Sequence, residues 1–63
     1  MLIKSAEEFE DLNAFNKGYY VYMLGEHEGE PFVPKEYFPD KKNKKRYNEG
    51  QWEAMLEAQD SEE

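Results

Sequence analysis

Residues 5–24 read SAEEFEDLNAFNKGYYVYML, and the way this stretch folds decides the class of the chain. It opens with Ser5 and Glu8 at the spacing of a capping box, in which each side chain can satisfy the other's free backbone donor at a helix start. Phe9, Leu12, Phe15, Tyr19, Tyr20 and Met23 then recur at intervals of three and four, the pattern of one apolar helical face. Taken alone, residues 19–22 favour a strand, and Gly18 in mid-helix costs about 0.8–1 kcal/mol relative to alanine. The periodicity nevertheless continues on both sides of Gly18, and no second alternating segment offers a strand to pair with. One helix over about 5–24 is therefore expected, closed by Gly25 as its C-cap.

Downstream, residues 25–40 carry Gly29, Pro31, Pro34 and Pro39, which limit regular structure through backbone freedom or a fixed dihedral and a missing donor. The segment also holds Phe32, Val33, Tyr37 and Phe38, so it reads as a structured loop folded back on the helices, with a short helical turn expected at 34–38. A second helix follows over about 41–58. Asp40, Asn43 and Asn48 are all possible N-caps, and because cations in a first turn oppose the helix dipole, the lysines there would allow a start as late as Asn43. The acidic end, 59–63, reads as frayed.

At 63 residues the chain holds one domain, and a domain this small buries only about 60% of its unfolded surface. It has no cysteine and one histidine, so neither disulfides nor a metal site reinforces it, and a partner subunit is the remaining remedy. The fold class is accordingly all-α: a two-helix hairpin with a proline- and aromatic-rich connecting loop, expected to dimerise. No apolar run approaches a membrane span or a secretory h-region, which points to the cytoplasm, or the host cytoplasm for a phage protein.

The net charge is −7, which repels a nucleic acid backbone at long range. Its distribution is uneven. Residues 1–30 hold seven acidic and two basic side chains, residues 31–49 three and six, and residues 50–63 five and none. A basic centre between acidic flanks suits pairing of one segment with another as well as it suits a ligand.

Ala14-Phe15-Asn16-Lys17-Gly18-Tyr19 with Gly25, and later Tyr47-Asn48-Glu49-Gly50-Gln51-Trp52-Glu53-Ala54-Met55, together resemble the ribosome modulation factor family. Pro34 and Tyr37 are loose counterparts of that family's Pro-Tyr loop, and the resemblance covers roughly 14–55. It implies two helices joined by a structured loop, and a role in silencing ribosomes by binding ribosomal RNA. The chain departs from the family in two ways: it is acidic where the family is basic, and Gln51 stands where the family has an aromatic, with Trp52 one position later. An acidic, phage-encoded accessory protein is the source this combination suggests. Independently of the family, Ala14 and Gly18 are four apart, as are Gly50, Ala54 and Ala58. Small residues so spaced form a groove on each helix, and two such grooves let backbones approach, with Tyr19, Tyr22, Tyr47 and Trp52 sealing the sides.

Three surfaces are candidates for function. The acidic face Glu7, Glu8, Glu10 and Asp11 could meet a host or phage protein. The run Lys41, Lys42, Lys44, Lys45 and Arg46 could meet phosphates or an acidic protein, with Tyr37 and Tyr47 alongside for stacking on bases. Those two tyrosines and their neighbour Phe38, which could stack likewise, are expected in the core instead, because so small a chain needs them inside. An apolar face of Phe9, Leu12, Tyr20, Met23, Met55 and Leu56 is the expected homodimer contact. Glu26, His27, Glu28 and Glu30 lack the spacing that defines a metal geometry, and His27 is expected to cap the end of the first helix. Carboxylate pairs such as Glu7 with Asp11 and Glu53 with Glu57 lie on exposed helical faces, without the shaped pocket that acid catalysis needs. No cofactor motif or nucleophile constellation is present, so the reading is a non-enzymatic regulatory or interaction protein. A protein partner is favoured, with ribosome or RNA binding, and mimicry of DNA by the acidic faces, as alternatives.

Overall fold

The computed structural model describes residues 3–60; the last three residues of the expected frayed tail lie outside that range. The described chain is all-α and contains no strand. The elements are α1 (Ala6–Glu10), α2 (Ala14–Tyr22), a 3-10 turn (Met23–Glu26) and α3 (Lys41–Asp60).

The single helix expected over 5–24 is thus divided. Ser5 does cap α1, its side chain accepting from the Glu8 amide, but the Glu8 carboxylate reaches past Ser5 to accept from the Lys4 amide at 2.9 Å. The break comes at Asn13, whose extended backbone (φ −74°, ψ 171°) and side-chain oxygen, accepting from the Asn16 amide at 2.8 Å, start a new helix. Asparagine in mid-helix competes for backbone partners and is better placed as a cap. The interruption changes what the apolar residues do: in place of one stripe, Phe9 on α1 and Tyr20 on α2 turn toward each other, ring centroids 5.8 Å apart.

Around that pair lies the core. Ile3, Phe9 and Tyr20 are buried, and Leu12, Val21, Leu24, Phe32 and Tyr37 pack against them. Phe9 meets Phe32 at 5.9 Å and Tyr37 edge-on at 5.4 Å. The connector is tied to the chain start by the Phe32 amide, which donates to the Ile3 carbonyl. Beneath that link the Tyr20 hydroxyl faces two carbonyls, Phe32 at 2.6 Å and Ile3 at 3.0 Å. A buried hydroxyl without a partner would be costly, and here one proton is shared between two acceptors. Burial also pushes the Tyr20 hydroxyl pKa up.

Several local expectations are corrected. Gly25 lies within the 3-10 turn, and the left-handed glycine of the described chain is Gly29 (φ 87°). Residues 34–38 form no helical turn, only a bend at Lys35. The last helix starts at Lys41 despite its lysines, because Asp40 accepts from the Asn43 amide through its carboxylate at 2.9 Å and places a negative charge at the dipole's positive end. That helix also runs two residues beyond the expected end, to Asp60.

Candidate interaction surface

Two glycines join α2 to α3. A methyl group added to Gly50 would land on the Phe15 carbonyl and within 3.0 Å of the Tyr19 amide nitrogen; one added to Gly18 would land on the Tyr47 carbonyl and within 3.2 Å of its Cα. Both glycines are buried, as is Ala54 at 0% exposure, while Ala14 and Ala58 are half-buried. The small-residue grooves read from the sequence therefore meet, backbone against backbone. Tyr19 fastens the contact by a hydrogen bond from its hydroxyl to Glu57, and that bond, more than burial, raises the tyrosine's pKa. Lys17 ties α1 to the connector: its ammonium lies 5.6 Å from the Phe9 ring centre, 5.3 Å from that of Tyr37 and 3.4 Å from the Glu10 carboxylate.

Because the helices approach so closely, α3 points the rest of its circumference outward. Lys41, Lys44, Lys45, Asn48, Glu49, Trp52 and Glu53 line an open groove of about 760 Å³, whose opposite wall is Phe15 of α2. Trp52 is 61% exposed and Leu56, one turn on, 37%. Trp52 and Tyr22 therefore do not seal the helix contact; both side chains stand in solvent.

The homodimer face expected from sequence is largely internal. Phe9 and Tyr20 are buried to 2% and 0% exposure, Leu12 packs on the core, and Met23 and Met55 are half-buried. Of that set Leu56 alone is exposed. Tyr37 and Tyr47 are half-buried, their rings tilted with centroids 5.4 Å apart, whereas Phe38 and Val33, expected to fold back on the helices, are 84% and 61% exposed; the aromatics that line the groove beside the lysines are Phe15 and Trp52. Phe15 went unnoticed as a surface residue because it shares the helical spacing of the core positions.

All five cations of the basic run are exposed; Arg46 pairs with Glu49 at 3.0 Å, and among the described residues Lys41, Lys42, Lys44 and Lys45 have no ion pair. On the acidic face, Glu7, Glu8, Glu10 and Asp11 are exposed, with Glu8 held by the Lys4 amide and Glu10 by Lys17. His27 stands at the C-cap position of the 3-10 turn. It stacks on Tyr20 at 5.0 Å, its Nε2 is buried without a partner, and burial lowers its pKa. Among the described residues no group of three or more His, Cys, Asp or Glu side chains is placed to hold a metal, and no helix is long and apolar enough to cross a membrane. No family model matches the chain, and neither a curated protein nor a solved structure matches it.

Proposed function

We propose that this chain is a small, non-enzymatic interaction protein, a bacterial or phage accessory factor, and that it works by docking a protein partner on the outer face of α3. The observation that carries the proposal is the exposure of Trp52. In a domain whose core is a handful of aromatic rings, its single tryptophan stands in solvent beside Phe15 and three lysines. Exposed tryptophan rimmed by polar groups is the composition of a binding hot spot. A partner suited to this face presents carboxylates to the lysines and an apolar surface to the ring. Regulation by occupancy, rather than chemistry, is the activity such a surface supports.

A second reading is favoured by the same groove. Lysines beside an exposed tryptophan and a phenylalanine can hold a single-stranded nucleic acid by phosphate contacts and base stacking, and the resemblance to ribosome modulation factor belongs with this alternative. Glu49 and Glu53 in the groove, and the net charge of −7, weigh against it.

Capture from bacterial lysate with tagged wild-type protein and Trp52→Ala, with and without ribonuclease, separates the two. The protein-partner reading expects a retained protein that survives ribonuclease and is lost with the tryptophan. Capture indifferent to Trp52→Ala contradicts both readings, and retention abolished by ribonuclease transfers support to the second.

A further inference from the structure

We infer that the partner engages this face through a single linear peptide segment, acidic in one half and apolar in the other. The inference rests on the reading of α3 as an interaction face and names the element that occupies it. Its ground is a stripe along the helix. Lys41, Lys45, Asn48, Trp52 and Leu56 follow one another at helical intervals, so they lie on one side of α3, and all five are exposed. Two cations open the stripe, a neutral amide stands in its middle and two apolar side chains close it. Neither lysine has an ion pair among the described residues. The fold itself makes no use of this order, because α3 meets α2 on its other side, at Gly50.

Charge, width and length together define the occupant. Carboxylates answer the open ammonium groups at the lysine end. An aromatic or aliphatic anchor answers Trp52 and Leu56, the pairing found at the centre of an interface. The stripe is one side chain wide, with Glu49 and Glu53 along one flank, and Phe15 gives the groove its opposite wall. From Lys41 to Leu56 it runs about 22 Å, which a helical segment spans in about fifteen residues and an extended one in about seven. A narrow, walled track of that length suits a peptide laid in a groove. Glu49 is paired with Arg46, which leaves Glu53 to repel a carboxylate at the Trp52 end. The acids of the segment therefore belong at the lysine end. A nucleic acid strand carries phosphate along its whole length and would bring it past Glu53.

The test is selection from a displayed library of random peptides of about fifteen residues, enough to follow the stripe even as a helix, against the immobilised full chain. Affinities of dye-labelled selected peptides are then read by fluorescence anisotropy on wild type, Trp52→Ala and a double reversal, Lys41→Glu with Lys45→Glu. The reversal adds acids at the start of α3, where the helix dipole favours them, and circular dichroism checks that each variant keeps its helices. Wild type should enrich peptides in which a cluster of Asp or Glu lies apart from an aromatic or aliphatic cluster. Trp52→Ala and the reversal should each weaken their binding on the order of tenfold or more. Selection repeated on the reversal should enrich Lys or Arg where the acids stood. No enrichment, enrichment without the acidic cluster, or binding indifferent to the reversal overturns the inference. Trp52-dependent, ribonuclease-resistant capture of a protein from lysate would then leave the interaction reading standing with a folded surface as the occupant, and its absence removes both.

Discussion

On its inner side α3 presents Gly50 and Ala54 to α2, both buried; on its outer side it presents Trp52 and Leu56 to solvent. The smallest residues of the helix hold the fold together while its largest apolar residue stands outside it. Residue size is therefore a poor guide to structural weight in this chain. What matters on the inner side is how near two backbones can come, which any added carbon limits. The outer side is free of that constraint and is open to selection for binding.

Breaking the inner side should have the largest effect. Gly50→Val gains helix propensity, since glycine is disfavoured by about 0.8–1 kcal/mol. Its branched side chain, however, collides with the Phe15 carbonyl, which is backbone and cannot swing away. Overpacking of this kind costs about 1–3 kcal/mol or more, a large share of the 3–5 kcal/mol or so that a core this small supplies. A thermal melt followed by circular dichroism should therefore lose its cooperative transition.

Tyr20→Phe should rank next. It keeps the ring in the core but leaves the Ile3 and Phe32 carbonyls without their hydroxyl donor. A loss of about 1–3 kcal/mol in urea-unfolding stability is expected, because the link that ties the connector to the chain start is weakened.

A smaller effect should come from acid. His27 is stacked on Tyr20 with its Nε2 buried and unpartnered, so its folded pKa lies below the ordinary 6.5. The unfolded chain then binds the proton more readily. Stability is full above 6.5, falls as the pH drops from there toward the lower folded value, and levels off beneath it. Urea midpoints measured across that window should show the slope in wild type, and His27→Phe should flatten it.

Smallest of all for stability is Trp52→Ala, expected within about 0.5 kcal/mol of wild type at concentrations where the chain is monomeric. The same substitution should have the largest consequence for binding, and that inversion sharpens the contrast between the two sides of α3.

Much of this arrangement was legible in the sequence. The absence of strands among the described residues, the capping of α1 by Ser5 and the close approach of α2 and α3 at Gly18 and Gly50 all follow from hydrophobic period, capping chemistry and small-residue spacing. The break at Asn13 was not legible from periodicity, because Phe9, Leu12, Phe15 and Tyr19 keep helical intervals across it. The cap competes with the period, and the tertiary contact between Phe9 and Tyr20 decides in its favour. The basic run was visible as a charge pattern, but its aromatic neighbours were not. Tyr37 and Tyr47 adjoin it in sequence and turn inward, whereas Phe15 reaches the groove only because the two glycines bring α2 alongside α3. The dimer face failed as an expectation for the related reason that Phe9 and Tyr20 are needed by the monomer's own core.

The most direct test of the account is the proximity of the two backbones. A nuclear Overhauser spectrum of the folded chain should show cross-peaks from the Gly50 α-protons to backbone protons of Phe15 and Tyr19, and from the Gly18 α-protons to those of Tyr47. A spectrum with α2 and α3 both helical and these cross-peaks missing would contradict it.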